Sequence, residues 1–238
     1  MFIYLAPFYS MKGVPNQVKI GLSFFVSVLL FHITQPHEAL VYQTVWGYAM
    51  IVAKEALTGL LIGFSVSICT SIVSFSGRII DMETGLSMAN LMDPTTKEMS
   101  SMTGVFYQYV VTLILLVSGM HRYLIQALAE TFILIPVNGT VFHTDKLMEA
   151  MLTFLADYIT IGFRICLPVF AAMLLLNAVL GIMAKVSPQM NMFAVGLQLK
   201  VLVGLCILFI TTGMLPGVAD FIYTEMKQMM VLFVESMM

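Results

Sequence analysis

ALTGLLIGFSVSICTSIVSFSG at residues 56–77 and MSSMTGVFYQYVVTLILLVSGM at residues 99–120 are two of the longest uncharged apolar stretches in the chain. As helices, both are long enough to cross a hydrocarbon layer, which takes roughly 20 residues. Between them lies a polar segment, residues 78–98, with Arg78, Asp81, Glu83, Gly85, Asp93, Pro94, Lys97 and Glu98. A polar junction between two runs of membrane length is where function is expected.

Composition points the same way. The 238 residues are 60% hydrophobic and 10% charged, with a mean hydropathy of +0.96, whereas soluble domains carry about 25% charged residues. Further uncharged runs at 20–37, 165–184 and 201–219 come close to spanning length. The expected fold is all-α: a polytopic membrane-type protein with long kinked helices and helical hairpins. No Pro/Gly/Ser-rich linker divides it, so residues 1–238 read as one continuous helical unit. The net charge of -2 and the lack of a Lys/Arg cluster argue against nucleic acid, because phosphate binding needs clustered cations.

The charges do not give a simple topology. A polytopic transporter concentrates Lys and Arg on alternate loops, but here they fall in almost every inter-segment region, from Lys12 and Lys19 to Lys227. Residues 123–136 form an apolar stretch that carries Glu130, is too short to span, and is closed by Pro136. It is expected to pack against protein. Lys54 and Glu55 interrupt the apolar run 44–69 and point about 100° apart on a helix. Two readings stand: each charge finds a partner elsewhere, or the pair marks the polar start of a helix at Ala56. Gly59 and Gly63 have the Gly-x-x-x-Gly spacing that lets helix backbones approach closely.

In the second half, Asp145 is placed to cap a long helix that runs past Pro168, where a kink is expected, towards Lys185. After a turn at 186–191 the chain returns through Phe193 and is expected to stop at Pro216-Gly217. Beyond that, Asp220, Thr224, Lys227, Gln228 and Glu235 share one side of a helix. Ile222, Met226, Met229, Met230, Phe233 and Met237 share the other. This amphipathic pattern predicts an interfacial or partner-facing helix. The first ten residues, apolar from Met1, read as the tail of a helix.

Catalytic and metal chemistry find little support. His37-Glu38 has no second histidine at zinc-protease spacing, and neither a nucleophile elbow nor a phosphate-binding loop occurs. Asp81 and Glu83 diverge on a helix, and His121 beside Arg122 reads as a helix-end histidine or a proton relay. Cys69, Cys166 and Cys206 lie within apolar runs without ligand spacing and read as buried free thiols, so no metal and no cofactor are expected. Methionine is abundant, with Met82, Met88, Met92, Met99 and Met102 crowding the central junction. Thioethers suit soft copper, fill irregular surfaces against variable partners, or form a flexible seal. A small-solute or metal-ion transporter using Lys54, Glu55, Glu130 and the methionines therefore stands as the alternative to a structural role.

One ordered set of residues carries a resemblance. Val14-Pro15 with Lys19 is followed by Glu55-x-x-x-Gly59-x-x-x-Gly63-Phe64 and Gly77-x-x-x-Asp81-x-x-x-Gly85. Asp93-Pro94, Gly119-x-His121 and Pro188-Gln189-Met190-Asn191-x-Phe193, with Gly196 and Lys200, complete it. From Ala6 to Pro216 the chain resembles the FliR family of the flagellar type III export gate, whose injectisome counterparts share the pattern. The resemblance implies a non-enzymatic subunit that joins FliP-like and FliQ-like proteins, with FlhB-like and FlhA-like components, in the bacterial inner membrane at the flagellar basal body. The passage so formed carries unfolded flagellar proteins. It also implies a FliP-like part at 1–140 and a FliQ-like hairpin plus amphipathic helix at 141–238. The family's plug loop maps to Ala89, Asn90, Leu91, Met92, Asp93, Pro94, Thr95, Thr96, Lys97, Glu98 and Met99. Gly59, Gly63, Gly77 and Gly85 map to helix packing, and Pro188, Gln189, Met190 and Asn191 to the hairpin turn. The resemblance implies a further apolar stretch of roughly one helix ahead of Ala6-Pro7, and this chain starts almost at that point.

Overall fold

The computed structural model describes residues 1–10, 14–33, 42, 44–89, 101–189 and 191–238. Among these, every regular element is helical. They are α1 (Phe2–Leu5), α2 (Asn16–Ile33), α3 (Val45–Thr84), α4 (Met102–Val117), α5 (Met120–Leu134), α6 (Thr144–Val186), α7 (Met192–Thr211) and α8 (Leu215–Glu235). Short 3-10 turns occupy Leu86–Ala89 and Thr212–Met214. Among the described residues, four helical stretches are long and apolar enough to cross a membrane, Asn16–Ile33, Val45–Thr84, Thr144–Val186 and Ala194–Glu235, and α4 with α5, bent by 67°, would make a fifth if taken as one span.

α3 and α6, at 40 and 43 residues, would each extend about 60 Å at 1.5 Å per residue, twice a hydrocarbon core of about 30 Å. They differ in what covers them. Half of the most apolar window of α3 is buried within the chain, against 17% for α6. α3 is thus half covered by its own chain over that window, and α6 presents most of its apolar surface outward.

Several expected boundaries move. α3 begins at Val45, so Lys54 and Glu55 lie inside a helix and do not mark its start. Glu55 has a partner, its Oε1 accepting from the Asn138 amide at 3.0 Å. Asp145 lies within the first turn of α6 and Pro168 inside a helix that continues to Val186. α7 ends at Thr211, before the proline: the Thr211 and Thr212 hydroxyls donate back to Leu208 O at 3.1 and 2.8 Å, and the 3-10 turn follows. Such back-bonding bends helices. Pro216 does not stop a helix but occupies the first turn of α8, where its missing amide costs nothing and its fixed φ suits the helix. α5 does end where its proline requires, with Ile135 extended at φ −117° and ψ 97° ahead of Pro136.

The chain forms two compact units, each gathered from separated segments. The first comprises residues 1–70, 115–156 and 222–238. In it α5 buries Met120, Leu124, Leu128 and Thr131, one stripe of the helix. α8 buries Ile222, Met226, Met229, Met230 and Phe233, with Met237 beyond its end, while Asp220, Thr224, Gln228 and Glu235 stay exposed. The amphipathic pattern is thus as expected, but its apolar face is filled by the chain itself and is not left for a partner. Lys227 stands over the rings of Tyr123 and Tyr223, 4.7 and 4.2 Å from their centroids, tying α8 to α5. Tyr9 donates to His121 O at 2.7 Å, and burial pushes its phenol above its ordinary range.

The second unit comprises residues 71–114 and 157–221. Here α4 turns Thr103, Tyr107 and Val111 inward at four-residue intervals. Tyr107 reaches Thr211 at the end of α7, hydroxyl to hydroxyl at 3.1 Å. Of the thiols, Cys69 and Cys166 are buried but Cys206 is exposed, on a face of α7 where Leu202, Leu205 and Phe209 are exposed as well.

Candidate functional site

The central polar junction is the candidate site. Residues 90–100 lie outside the described residues, so of the plug-loop stretch 89–99 only Ala89 can be placed, as the last residue of the 3-10 turn Leu86–Ala89. The two feet of that stretch are well defined, and both belong to the second unit.

The first foot is the end of α3. Gly85 has φ +81°, in the left-handed region where glycine carries no Cβ penalty. Its carbonyl accepts from Met88 N at 3.2 Å, starting the 3-10 turn. The second foot is the beginning of α4, whose first amides have no partner within the helix. Ser101 is the N-cap: its Oγ accepts from Gly104 N and its carbonyl from Val105 N, both at 2.9 Å. The amide between, on Thr103, donates to Asp81, 3.3 Å from Oδ1 and 3.4 Å from Oδ2. Asp81 is 1% exposed. A buried carboxylate from one helix therefore sits at the positive end of another, fastening the exit of the loop to the helix that leads into it.

Close backbone approach makes this possible. A Cβ on Gly77, one turn before Asp81, would overlap the Cα and N of Gly104, so α3 and α4 meet backbone to backbone. Two further glycines close around the same part of α3. A Cβ on Gly162 of α6 would come 2.5 Å from the Phe75 ring, and one on Gly204 of α7 would come 2.6 Å from Thr84 Cγ2. The Phe75 ring also lies against Tyr158 and Phe163, with centroids 5.2 and 6.2 Å away. α4, α6 and α7 thus form a collar around residues 75–84.

The other singled-out residues are placed elsewhere. Gly59 and Gly63 face α1 in the first unit: Cβ atoms there would stand 3.5 Å from Phe2 N and 3.0 Å from Phe2 O. Pro188 and Gln189 form the turn between α6 and α7. Asn191 caps α7, accepting from Ala194 N at 3.4 Å, while Met190 lies outside the described residues. Gly196 of α7 packs against Leu180 of α6, closing that hairpin. Of the residues considered for a transport pathway, Glu55 holds Asn138 N, and Glu130 accepts from Gln126 Nε2 at 2.8 Å on an exposed surface. No described contact brings them together. Among the described residues no group of three His, Cys, Asp or Glu side chains can hold a metal ion.

Sequence reasoning missed Asp81 and Ser101 as caps, and Gly104, Gly162 and Gly204 as the collar. Ser101 was detectable, since a serine directly before an apolar helical run is an N-cap signal.

Comparison with known proteins decides what kind of chain this is. The family described as "Bacterial export proteins, family 1" matches residues 1–226. The chain belongs to this family. Members to which it is similar include the flagellar biosynthetic protein FliR of Bacillus subtilis, 30% identical over 211 residues that make up 88% of this chain and 81% of that protein. The FliR of Aquifex aeolicus is 32% identical over 213 residues, 88% of this chain and 80% of the relative. That of Escherichia coli is 26% identical over 222 residues, 92% and 82% of the two chains. In this bacterial export family member, the described part of the central junction is the place where α3 and α4 meet backbone to backbone, at Gly77 and Gly104.

Proposed function

We infer that the chain is a structural, non-catalytic subunit of the bacterial flagellar protein export apparatus, and that residues 89–99 are the plug of its passage. The family match over residues 1–226 carries the first half of this reading. Supporting the second half, both feet of the stretch are fixed, by Gly85 on one side and by Asp81 and Ser101 on the other.

The subunit works with FliP-like and FliQ-like neighbours and with FlhB-like and FlhA-like components in the inner membrane at the flagellar basal body. Unfolded flagellar proteins are its cargo, and energy comes from other components. Residues 1–140 correspond to a FliP-like part, and 141–238 to a FliQ-like hairpin with a C-terminal helix. The outward apolar faces of α2, α6 and α7, with Phe24, Leu175 and Phe209 at 71%, 71% and 84% exposure, suit a chain that meets neighbouring helices.

The test is deletion of residues 91–97 in the co-expressed assembly. Native mass spectrometry is expected to show the complex unchanged, with one copy of this chain, while planar-bilayer recording shows a raised resting ion conductance. An intact complex with unchanged conductance refutes the plug, and a chain that ignores the partner subunits refutes the export-apparatus assignment.

A further inference from the structure

Near the middle of α6, just before its uncharged run 165–184, stand two side chains of opposite charge, Asp157 and Arg164. Seven residues apart, they lie within about 20° of each other around the helix and about 10 Å apart along it. Arg164 is exposed and Asp157 half-buried. Neither side chain has an ion pair or a hydrogen bond among the described residues. They stand on the side of α6 away from Cys166, Val169 and Met173, which are buried.

The two charges belong to a longer stripe. Asp157, Thr160, Arg164, Leu167, Ala171 and Leu174 follow one another at alternating intervals of three and four residues, the spacing of a seam that receives a second helix. All but Asp157 are exposed, Leu167 at 60% and Leu174 at 52%. The stripe is thus charged in its first half and apolar in its second. Water suits the first half alone, and hydrocarbon the second alone. An anionic lipid headgroup satisfies Arg164 but repels Asp157. A second helix can match both halves, because its side chains are as specific in sequence as those of α6.

We propose that this stripe seats a helix of a neighbouring subunit, which sets a carboxylate against Arg164 and a basic or amide side chain against Asp157. The proposal rests on the export-apparatus reading and names the chemistry that fixes one of its contacts. A guanidinium fork meets a carboxylate through two parallel hydrogen bonds, so the pair defines orientation as well as attraction. Polar groups within such a seam set register. A partner displaced by one turn leaves both charges desolvated and unpaired, which costs more than any apolar mismatch farther along.

The test uses the full chain co-expressed with the FliP-like and FliQ-like proteins of the same genome. Photo-cross-linking from benzoylphenylalanine in place of Leu167, one turn from Arg164, is expected to capture a partner helix with Asp or Glu within a turn of the captured residue. Capture of a helix without a carboxylate there, of a second copy of this chain, or of lipid alone overturns the proposal. Co-purification gives the second reading: Arg164→Glu is expected to lower it roughly tenfold or more, and Arg164→Lys, which keeps the charge, less than about threefold. Arg164→Glu pairing as well as the parent overturns the proposal. So does its disappearance from membranes when expressed without partners, since Arg164 would then serve the chain's own fold. The parent separates the two readings. If it ignores the partner subunits, the export-apparatus assignment falls and the proposal with it; if it pairs and Arg164→Glu pairs equally, the ion pair alone falls.

Discussion

Adding one methyl group at Gly77 would place it on the backbone of Gly104, and a backbone cannot step aside as a flexible side chain can. At Gly59 the same methyl would find ordinary contacts at 3.5 Å or more. Gly77→Ala is therefore expected to destabilise the detergent-solubilised chain by about 1–3 kcal/mol or to prevent its accumulation, as overpacking does. Gly59→Ala should stay within about 0.5 kcal/mol. Chemical denaturation of the two variants checks the ordering, and equal effects would contradict the backbone contact between α3 and α4. At this scale the sequence was half legible. The spacing Gly77-x-x-x-Asp81-x-x-x-Gly85 was visible, but a small residue shows only that something approaches, never what. Gly104, Gly162 and Gly204 come from three other helices and share no local pattern with Gly77. Asp81 was seen as an ill-paired carboxylate because its partner is a backbone amide 22 residues away.

Among the elements, α8 was read most fully from its periodicity, because a half-buried helix writes its burial as a 3.6-residue alternation. Met226 is fully buried and Gln228, two residues on, is exposed. Met226→Ala is expected to cost about 2–5 kcal/mol through lost contacts and the cavity left behind, and Gln228→Ala no more than about 0.5 kcal/mol. Thermal unfolding followed by tryptophan-independent far-ultraviolet circular dichroism distinguishes them, and a tolerant Met226 would contradict the packed face. What hydropathy could not say was whether that face met lipid, a partner or the chain itself. The start of α3 stayed open between two readings for a related reason: Lys54 and Glu55 look like a boundary until Asn138, from a loop far along the chain, supplies Glu55 with its amide. The end of α7 shifted because Pro216 marks a helix start as readily as a stop.

For the molecule as a whole, the all-helical class and membrane character followed directly from the proportion of apolar residues and the lengths of the uncharged runs. The grouping into two units did not, since each is assembled from segments separated by more than forty residues and only tertiary contacts reveal such gathering. The outward faces of α6 and α7 belong to this scale. Leu175→Arg combined with Phe209→Arg changes two side chains that are largely exposed, at 71% and 84%. If these faces meet neighbouring subunits, the double variant should persist in membranes while its co-purification with FliP-like and FliQ-like partners falls roughly tenfold or more. A loss of membrane abundance with undiminished pairing would assign the faces to lipid.

The methionines divide sharply by environment. Met120, Met173, Met226, Met229, Met230 and Met237 are at most 2% exposed, whereas Met82 and Met88, beside the loop foot, are each 72% exposed. Thioether oxidation follows access, and a sulfoxide turns a pliable apolar side chain polar. Under mild peroxide, peptide mass spectrometry should find Met82 and Met88 oxidised well before any of the six buried residues. Oxidant damage would then reach the rim of the loop while the helical interior stays chemically intact, and methionine sulfoxide reductases could undo it without the subunit ever unfolding.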